Sequence, residues 1–186
     1  MILLFCGLSG TGKTTLAKSV AAELTSLGIK IEIIDGDEYR AALYRDLGFS
    51  KEDRNENIRR LGFVASRFSA QGIVTIVSAI NPYDDVRQEL AEKYDHVSII
   101  HVDCPVNKLI SRDTKGLYKR ALLPDGHPDK LPNLTGINDR FDVPVKPDLY
   151  IDTCNYTIQQ STSSLLYYII NNLHPVKQTN KIPSYT

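Results

Sequence analysis

Five short apolar runs punctuate the chain, at residues 2–6, 29–34, 73–77, 97–102 and 149–151, and each gives way to polar residues. Runs of this length, rich in Ile, Val and Leu and bounded by turn formers, predict buried strands. Between them the apolar positions change period. Leu16, Val20, Leu24 and Leu27 follow the first run at helical spacing; Ile58, Leu61, Val64, Ala65 and Phe68 do so within 53–71; Leu165, Leu166, Ile169, Ile170 and Leu173 close the pattern. One apolar stripe per segment is the mark of a helix laid on a sheet. Strands alternating with helices predict an α/β fold, a doubly wound five-stranded parallel sheet flanked by helices. Gly28 is placed to end the first helix, and Thr157 with Gln160 has the spacing of a capping box for the last.

The periodicity lapses between 112 and 147, where prolines, glycines and charges take over. An aperiodic stretch of that length predicts a lid over a binding site rather than a connector. Its basic residues Arg112, Lys115, Lys119 and Arg120 suit a phosphate-facing lid. Residues 1–173 read as a single domain, and 174–186 as a polar tail without pattern.

A chain of 186 residues can bury about 70% of its unfolded surface without a structural metal or disulfide. Lys plus Arg equals Asp plus Glu at 22 each, so no global basic field recruits nucleic acid or an anionic membrane. No apolar run approaches membrane-spanning length. The opening apolar run lacks a charged start and meets Gly7 too early for a secretory signal. Three cysteines, Cys6, Cys104 and Cys154, sit in or beside predicted strands. That pattern predicts reduced structural thiols and a cytoplasmic location.

The densest chemistry lies between the first strand and the first helix. Gly7, Leu8, Ser9, Gly10, Thr11, Gly12, Lys13 and Thr14, with Thr15 behind, fit G-x-x-x-x-G-K-[ST] in full. Glycines let backbone N–H groups turn inward around a di- or triphosphate, and the helix start adds positive dipole at the same point. Lys13 would reach the β- and γ-phosphates, and the Thr14 hydroxyl would ligand Mg²⁺. A plain glycine turn is the bland alternative, and the complete motif in a strand–loop–helix setting weighs against it. At the end of the second strand stand Asp35 and Asp37, where open α/β sheets place ligands. Asp37 is the candidate base for an acceptor hydroxyl, and Asp35 could orient a Mg²⁺-bound water, although Asp-Gly is also ordinary turn chemistry. Arg40 lies one helical turn after Asp37, and Arg54 with Asn57 forms another i, i+3 pair. For any one of these, exposed surface is the commoner fate.

Taken together and in order, GLSGTGKTT, DGDEYR, LGFSKEDRNENIRR, SAINPY, RDTKGLYKRA and LTGIND resemble the adenylylsulfate kinase family over about residues 4–153. The resemblance implies a P-loop kinase fold and MgATP-dependent phosphorylation of the 3′-hydroxyl of adenosine 5′-phosphosulfate (APS). By position it implies that Asp37 acts beside that hydroxyl, and that Arg40, Arg54 and Asn57 hold the phosphosulfate end. It further implies that Phe49 stacks on the acceptor adenine, that Ile80 and Asn81 contact the acceptor, and that Lys119 reaches in from the lid. Arg112 and the turn at 153–155 are the expected adenine side of ATP, from their places after the fourth and fifth strands. The partners implied are ATP and APS, with a homodimer as a candidate assembly.

Three departures stand out. The family usually has Ser where this chain has Asn81, so a phosphoserine intermediate is closed here and direct in-line transfer is expected. Leu134 replaces a second purine-stacking Phe, which removes one π-face worth ~1 kcal/mol. LLPDGHPDKLPN replaces a shorter connector in the lid, and the usual extension ahead of the first strand is absent. These changes keep a sister kinase with another acceptor, such as a cytidine-diphosphate phosphoramidate, as the alternative, and retention of Phe49, Arg54, Asn57 and Lys119 favours APS. A GTPase-like switch would need N-K-x-D and D-x-x-G motifs at strand ends, and neither occurs there.

Overall fold

The computed structural model describes residues 1–173; the polar tail lies outside the described residues. Its centre is β1 (Ile2–Cys6), whose five residues are all buried. Around it stand β2 (Ile31–Asp35), β3 (Val74–Ser78), β4 (Val97–Asp103) and β5 (Leu149–Asp152), in the order β2-β3-β1-β4-β5 and parallel throughout. With helices on both faces, a central parallel strand is apolar at every position rather than at alternate ones. Leu3 and Phe5 pack on α1 (Lys13–Ser26) and α7 (Ile158–Asn172), whereas Ile2 and Leu4 face α3 (Lys51–Ser69) and α4 (Asp84–Lys93).

The strand ends differ from the apolar runs in an informative way. β2, β3, β4 and β5 each extend into a polar residue: Asp35, Ser78, Asp103 and Asp152. Asp35 pairs in register with Ser78, and Asp103 with Asp152. The polar groups at the carboxyl edge are therefore mounted on the hydrogen-bonded ladder itself.

The second strand starts at Ile31 rather than at 29, because Gly28 and Ile29 finish α1. Gly28 N–H donates to Thr25 O at 3.0 Å and Ile29 N–H to Leu24 O at 2.9 Å, with Gly28 at φ 74°, the paired bonds of a Schellman stop. That early stop leaves Leu27 exposed, outside the buried stripe it was expected to join. α3 begins two residues earlier than the periodicity suggested, because Ser50 Oγ accepts the Asp53 N–H at 3.1 Å. Thr157 and Gln160 form the expected reciprocal capping box.

Two short helices, α2 (Gly36–Ala42) and α5 (Val106–Arg112), follow β2 and β4. The aperiodic lid contains one more, α6 (Leu117–Ala121). It is seated by a small apolar cluster of Cys104, Leu109, Tyr118, Ala121 and Leu134. Asn138 ties the middle of the lid to α6: its Oδ1 accepts Leu134 N–H at 2.7 Å, and its Nδ2 donates to Ala121 O at 3.3 Å and Leu131 O at 3.0 Å.

Candidate active site

The loop of residues 7–14 crosses the carboxyl edge of the sheet directly after β1. A Cβ on Gly7 would lie 2.1 Å from Val102 O, so only glycine lets the loop pass this close to β4. Gly7 N–H also donates to Ile80 O at 3.1 Å, which bolts the loop to the turn after β3. Lys13 is nearly buried and curls back over the loop, donating to Gly7 O at 2.8 Å and Leu8 O at 2.7 Å. Burial pulls its ammonium down to about 8. Thr14 Oγ1 donates to Asp35 Oδ2 at 3.0 Å and lies 3.4 Å from Ser78 Oγ. Asp35 Oδ1 meanwhile accepts the N–H groups of Asp37 and Glu38 at 3.0 and 3.4 Å, capping α2. One carboxylate thus joins the phosphate loop to the helix that carries Asp37. Asp37 Oδ2 meets Lys115 Nζ of the lid at 3.1 Å.

A cavity of about 450 Å³ runs from this loop to the lid. Ser9, Gly10, Gly12, Lys13, Thr14 and Thr15 line one end; Asp35, Asp37, Ser78 and Ile80 line the middle; Phe49, Arg54 and Leu134 line the other. Thr114, Lys115 and residues from Leu131 to Thr135 close over it. Arg54 is fixed on three sides: Nε donates to Phe49 O at 3.0 Å, Nη2 to Asn133 O at 2.6 Å, and Nε forms an ion pair with Asp139 Oδ2 at 3.1 Å. Its guanidinium is 5.4 Å from the Phe49 ring centroid, and that of Arg40 is 4.5 Å away.

Not every expected residue reaches the cavity. Arg40 is absent from its lining; its Nη2 donates to the carbonyls of Leu47 and Gly48, and burial lowers its pKa. It supports the Phe49 loop from behind. Asn57 is buried in α3 and also absent from the lining. Asn81 is only 1% exposed and stands at φ 47°, a left-handed conformation that Asn adopts more readily than most residues. Lys119 is exposed and outside the lining, because Asp113 accepts the N–H groups of Tyr118 and Lys119 at 3.0 and 2.8 Å and starts α6 there. The lid lysine at the cavity is Lys115, which sequence reasoning grouped with the lid's other basic residues. Ser78 was also missed, although its place at a strand end beside Asp35 could have marked it.

Beyond the loop lies a second cavity of about 170 Å³, lined by Gly10, Thr11, Gly12, Thr15, Arg112, Thr153, Tyr156 and Ile158 among others. Thr153 Oγ1 donates to Thr11 O at 2.8 Å. Arg112 and Thr153 are therefore together, whereas Cys154 and Asn155 turn away to Asp152.

A parallel sheet with a phosphate loop after its central strand, carboxylates at the next strand end and a lid across both defines a P-loop kinase. The match is closer than that. The family model described as adenylylsulphate kinase covers residues 1–152, and the chain belongs to that family. A probable adenylyl-sulfate kinase of Pseudomonas aeruginosa is 38% identical over 182 residues, 98% of this chain and 81% of that protein. An adenylyl-sulfate kinase of Deinococcus deserti is 38% identical over 168 residues, 90% of each. Among solved structures, the APS kinase CysC of Mycobacterium tuberculosis in complex with AMPPNP and APS aligns with a TM-score of 0.82 at 32% identity. That alignment covers 91% of this chain and 96% of the other.

Proposed function

We propose that the protein transfers the γ-phosphoryl group of ATP directly to the 3′-hydroxyl of APS, giving 3′-phosphoadenosine 5′-phosphosulfate. The observation that carries this reading is the single cavity joining the phosphate loop to a pocket with an aromatic face and a fixed arginine. The loop N–H groups and Lys13 hold the β- and γ-phosphates, and the small cavity at Arg112 and Thr153 takes the adenine of ATP. At the other end Phe49 offers its face to the acceptor purine, and Arg54 offers a planar fork to phosphate or sulfate oxygens.

Thr14 Oγ1, Asp35 Oδ2 and Ser78 Oγ form a cluster of hard oxygen donors beside the loop, which fits Mg²⁺. When bound there, Mg²⁺ supplies positive charge against the β- and γ-phosphate oxygens. Lys115 secures Asp37 Oδ2, and Oδ1 is the atom we assign to receive the proton of the 3′-hydroxyl. Asn81 offers no hydroxyl for a phosphoenzyme, which favours in-line transfer from donor to acceptor.

Leu134 in place of an aromatic wall supports keeping one second reading, a sister kinase for another acceptor. An acceptor panel led by APS, read as ADP release and as the 3′-phosphorylated product, decides between them. ADP release with APS and not with a cytidine-diphosphate phosphoramidate is expected; the reverse order would replace APS as the substrate. The thiols of Cys6, Cys104 and Cys154 are all free, in keeping with the cytoplasmic location we propose. No helix among the described residues is long and apolar enough to cross a membrane. A homodimer is the assembly proposed, and light scattering on the intact chain checks it.

A further inference from the structure

Arg87, in the first turns of α4, is the largest completely buried side chain among the described residues. Burying a guanidinium is costly, and an apolar side chain of similar volume fills such space more cheaply. What retains it is a set of partners from two distant segments. Nη1 donates to Asn81 O at 2.7 Å, Nη2 to Asp84 Oδ1 at 2.9 Å, and Nη2 also to Asp142 O at 2.5 Å. Asn81 belongs to the turn after β3, and Asp142 to the strap by which the lid returns to β5.

The same seam is closed by further bonds. Asp142 N–H donates to Pro82 O at 2.8 Å, Asp84 N–H to Asp142 Oδ2 at 3.2 Å, and Tyr83 OH to Asp139 Oδ1 at 3.2 Å. Asn81 stands at φ 47° immediately before a proline, a conformation that persists only where its surroundings over-determine it. One residue earlier, Ile80 O accepts the Gly7 N–H of the phosphate loop. On the lid side, Asp139 pairs with Arg54. The seam therefore touches the donor end through Ile80 and the acceptor end through Arg54.

We propose that Arg87 is a positioning residue for the acceptor: it holds the strained Asn81 turn against the lid strap, and so sets Ile80 and Arg54 relative to the phosphate loop. A planar fork can hold two carbonyls and a carboxylate in one plane, which the single ammonium of lysine cannot. The donor end has further anchors on β1 and β4 besides the Gly7–Ile80 bond, so loss of the seam falls chiefly on the acceptor. This rests on the reading of APS as acceptor.

The test is the KM split in Arg87→Lys, with wild-type turnover of APS measured first. The KM for APS should rise about tenfold, the equivalent of one charge-assisted hydrogen bond, while the KM for ATP stays within about twofold. An unchanged KM for APS, or equal changes in both constants beside a lowered Tm, overturns the proposal. Should Arg87→Lys fail to fold, Asp84→Ala replaces it: its carboxylate is 39% exposed, and the same split should appear in smaller measure; no split overturns the proposal. Hydrogen exchange, which needs no acceptor, separates this idea from the choice of substrate. Exchange at the Asp142 amide should quicken in the variant while the phosphate loop is unaffected, and an unaltered Asp142 amide overturns the seam.

Discussion

The ends of the cavity that we assign to donor and acceptor are built by different means. At the donor end the loop rides on ladder-mounted residues: Gly7 lies against Val102 O, and Asp35 is paired in register with Ser78. At the acceptor end the groups come from a loop, a helix and the lid, and they are held by side-chain bonds to Leu47, Gly48, Phe49 and Asn133 carbonyls. The same phosphate chemistry is thus served by one half mounted on the sheet and by another held through side-chain bonds, where Leu134 and Asn81 stand in place of the residues expected from the family resemblance. Substitutions should separate along that line.

The largest effect belongs to the group between the two ends. Asp37→Asn should lower kcat by about 10²- to 10⁴-fold, the usual worth of a positioned general base, with the ATP affinity retained in equilibrium binding. Near-normal turnover would remove Asp37 as base. Next comes Arg54→Ala, which should raise the KM for APS by about 10- to 100-fold through loss of a charge-assisted fork. A larger rise in the KM for ATP would put Arg54 at the wrong end.

A pH profile probes the donor end with an intermediate effect. Burial lowers Lys13 from 10.5 to about 8, so the free enzyme loses the ammonium as pH rises through that value. Since kcat/KM reports the free enzyme, kcat/KM for ATP should fall above about pH 8 while the KM for APS changes little. A flat profile to pH 10 would show that Lys13 keeps its proton. The smallest effect is a gain: Leu134→Phe should lower the KM for APS about fivefold by restoring a π-face worth ~1 kcal/mol. A rise would mean that Leu134 is needed for the lid cluster with Leu109 and Tyr118 more than an aromatic wall is.

The two ends also differed in how far they could be read from the residues alone. Buried parallel strands are near-continuous apolar runs, so the sheet, the loop after β1 and the carboxylates after β2 were all visible. The acceptor end was visible as a motif but not as a geometry. Arg40 and Arg54 both sit at spacings that suit a phosphate clamp. Which one lines the cavity depends on where the carbonyls of Leu47, Gly48 and Asn133 fall, and those are set by loop closure. Lys115 and Lys119 posed the same problem, settled by where Asp113 starts α6. Asn81 looked like a departure in chemistry; its φ adds a backbone reason for the residue. Arg87 carried no signal in a run of mixed charges, since burial of an arginine is a property of the assembled seam.

In the proposed reaction one cavity passes a phosphoryl group straight from the loop end to the Phe49 end. Single-turnover quench with ATP labelled in the γ-phosphoryl group, with and without APS, tests it most directly. Label should appear on the 3′-position of the product, only with APS and never on the protein. Label retained on the protein as an intermediate, or no APS-dependent transfer from an enzyme that binds ATP, would contradict it.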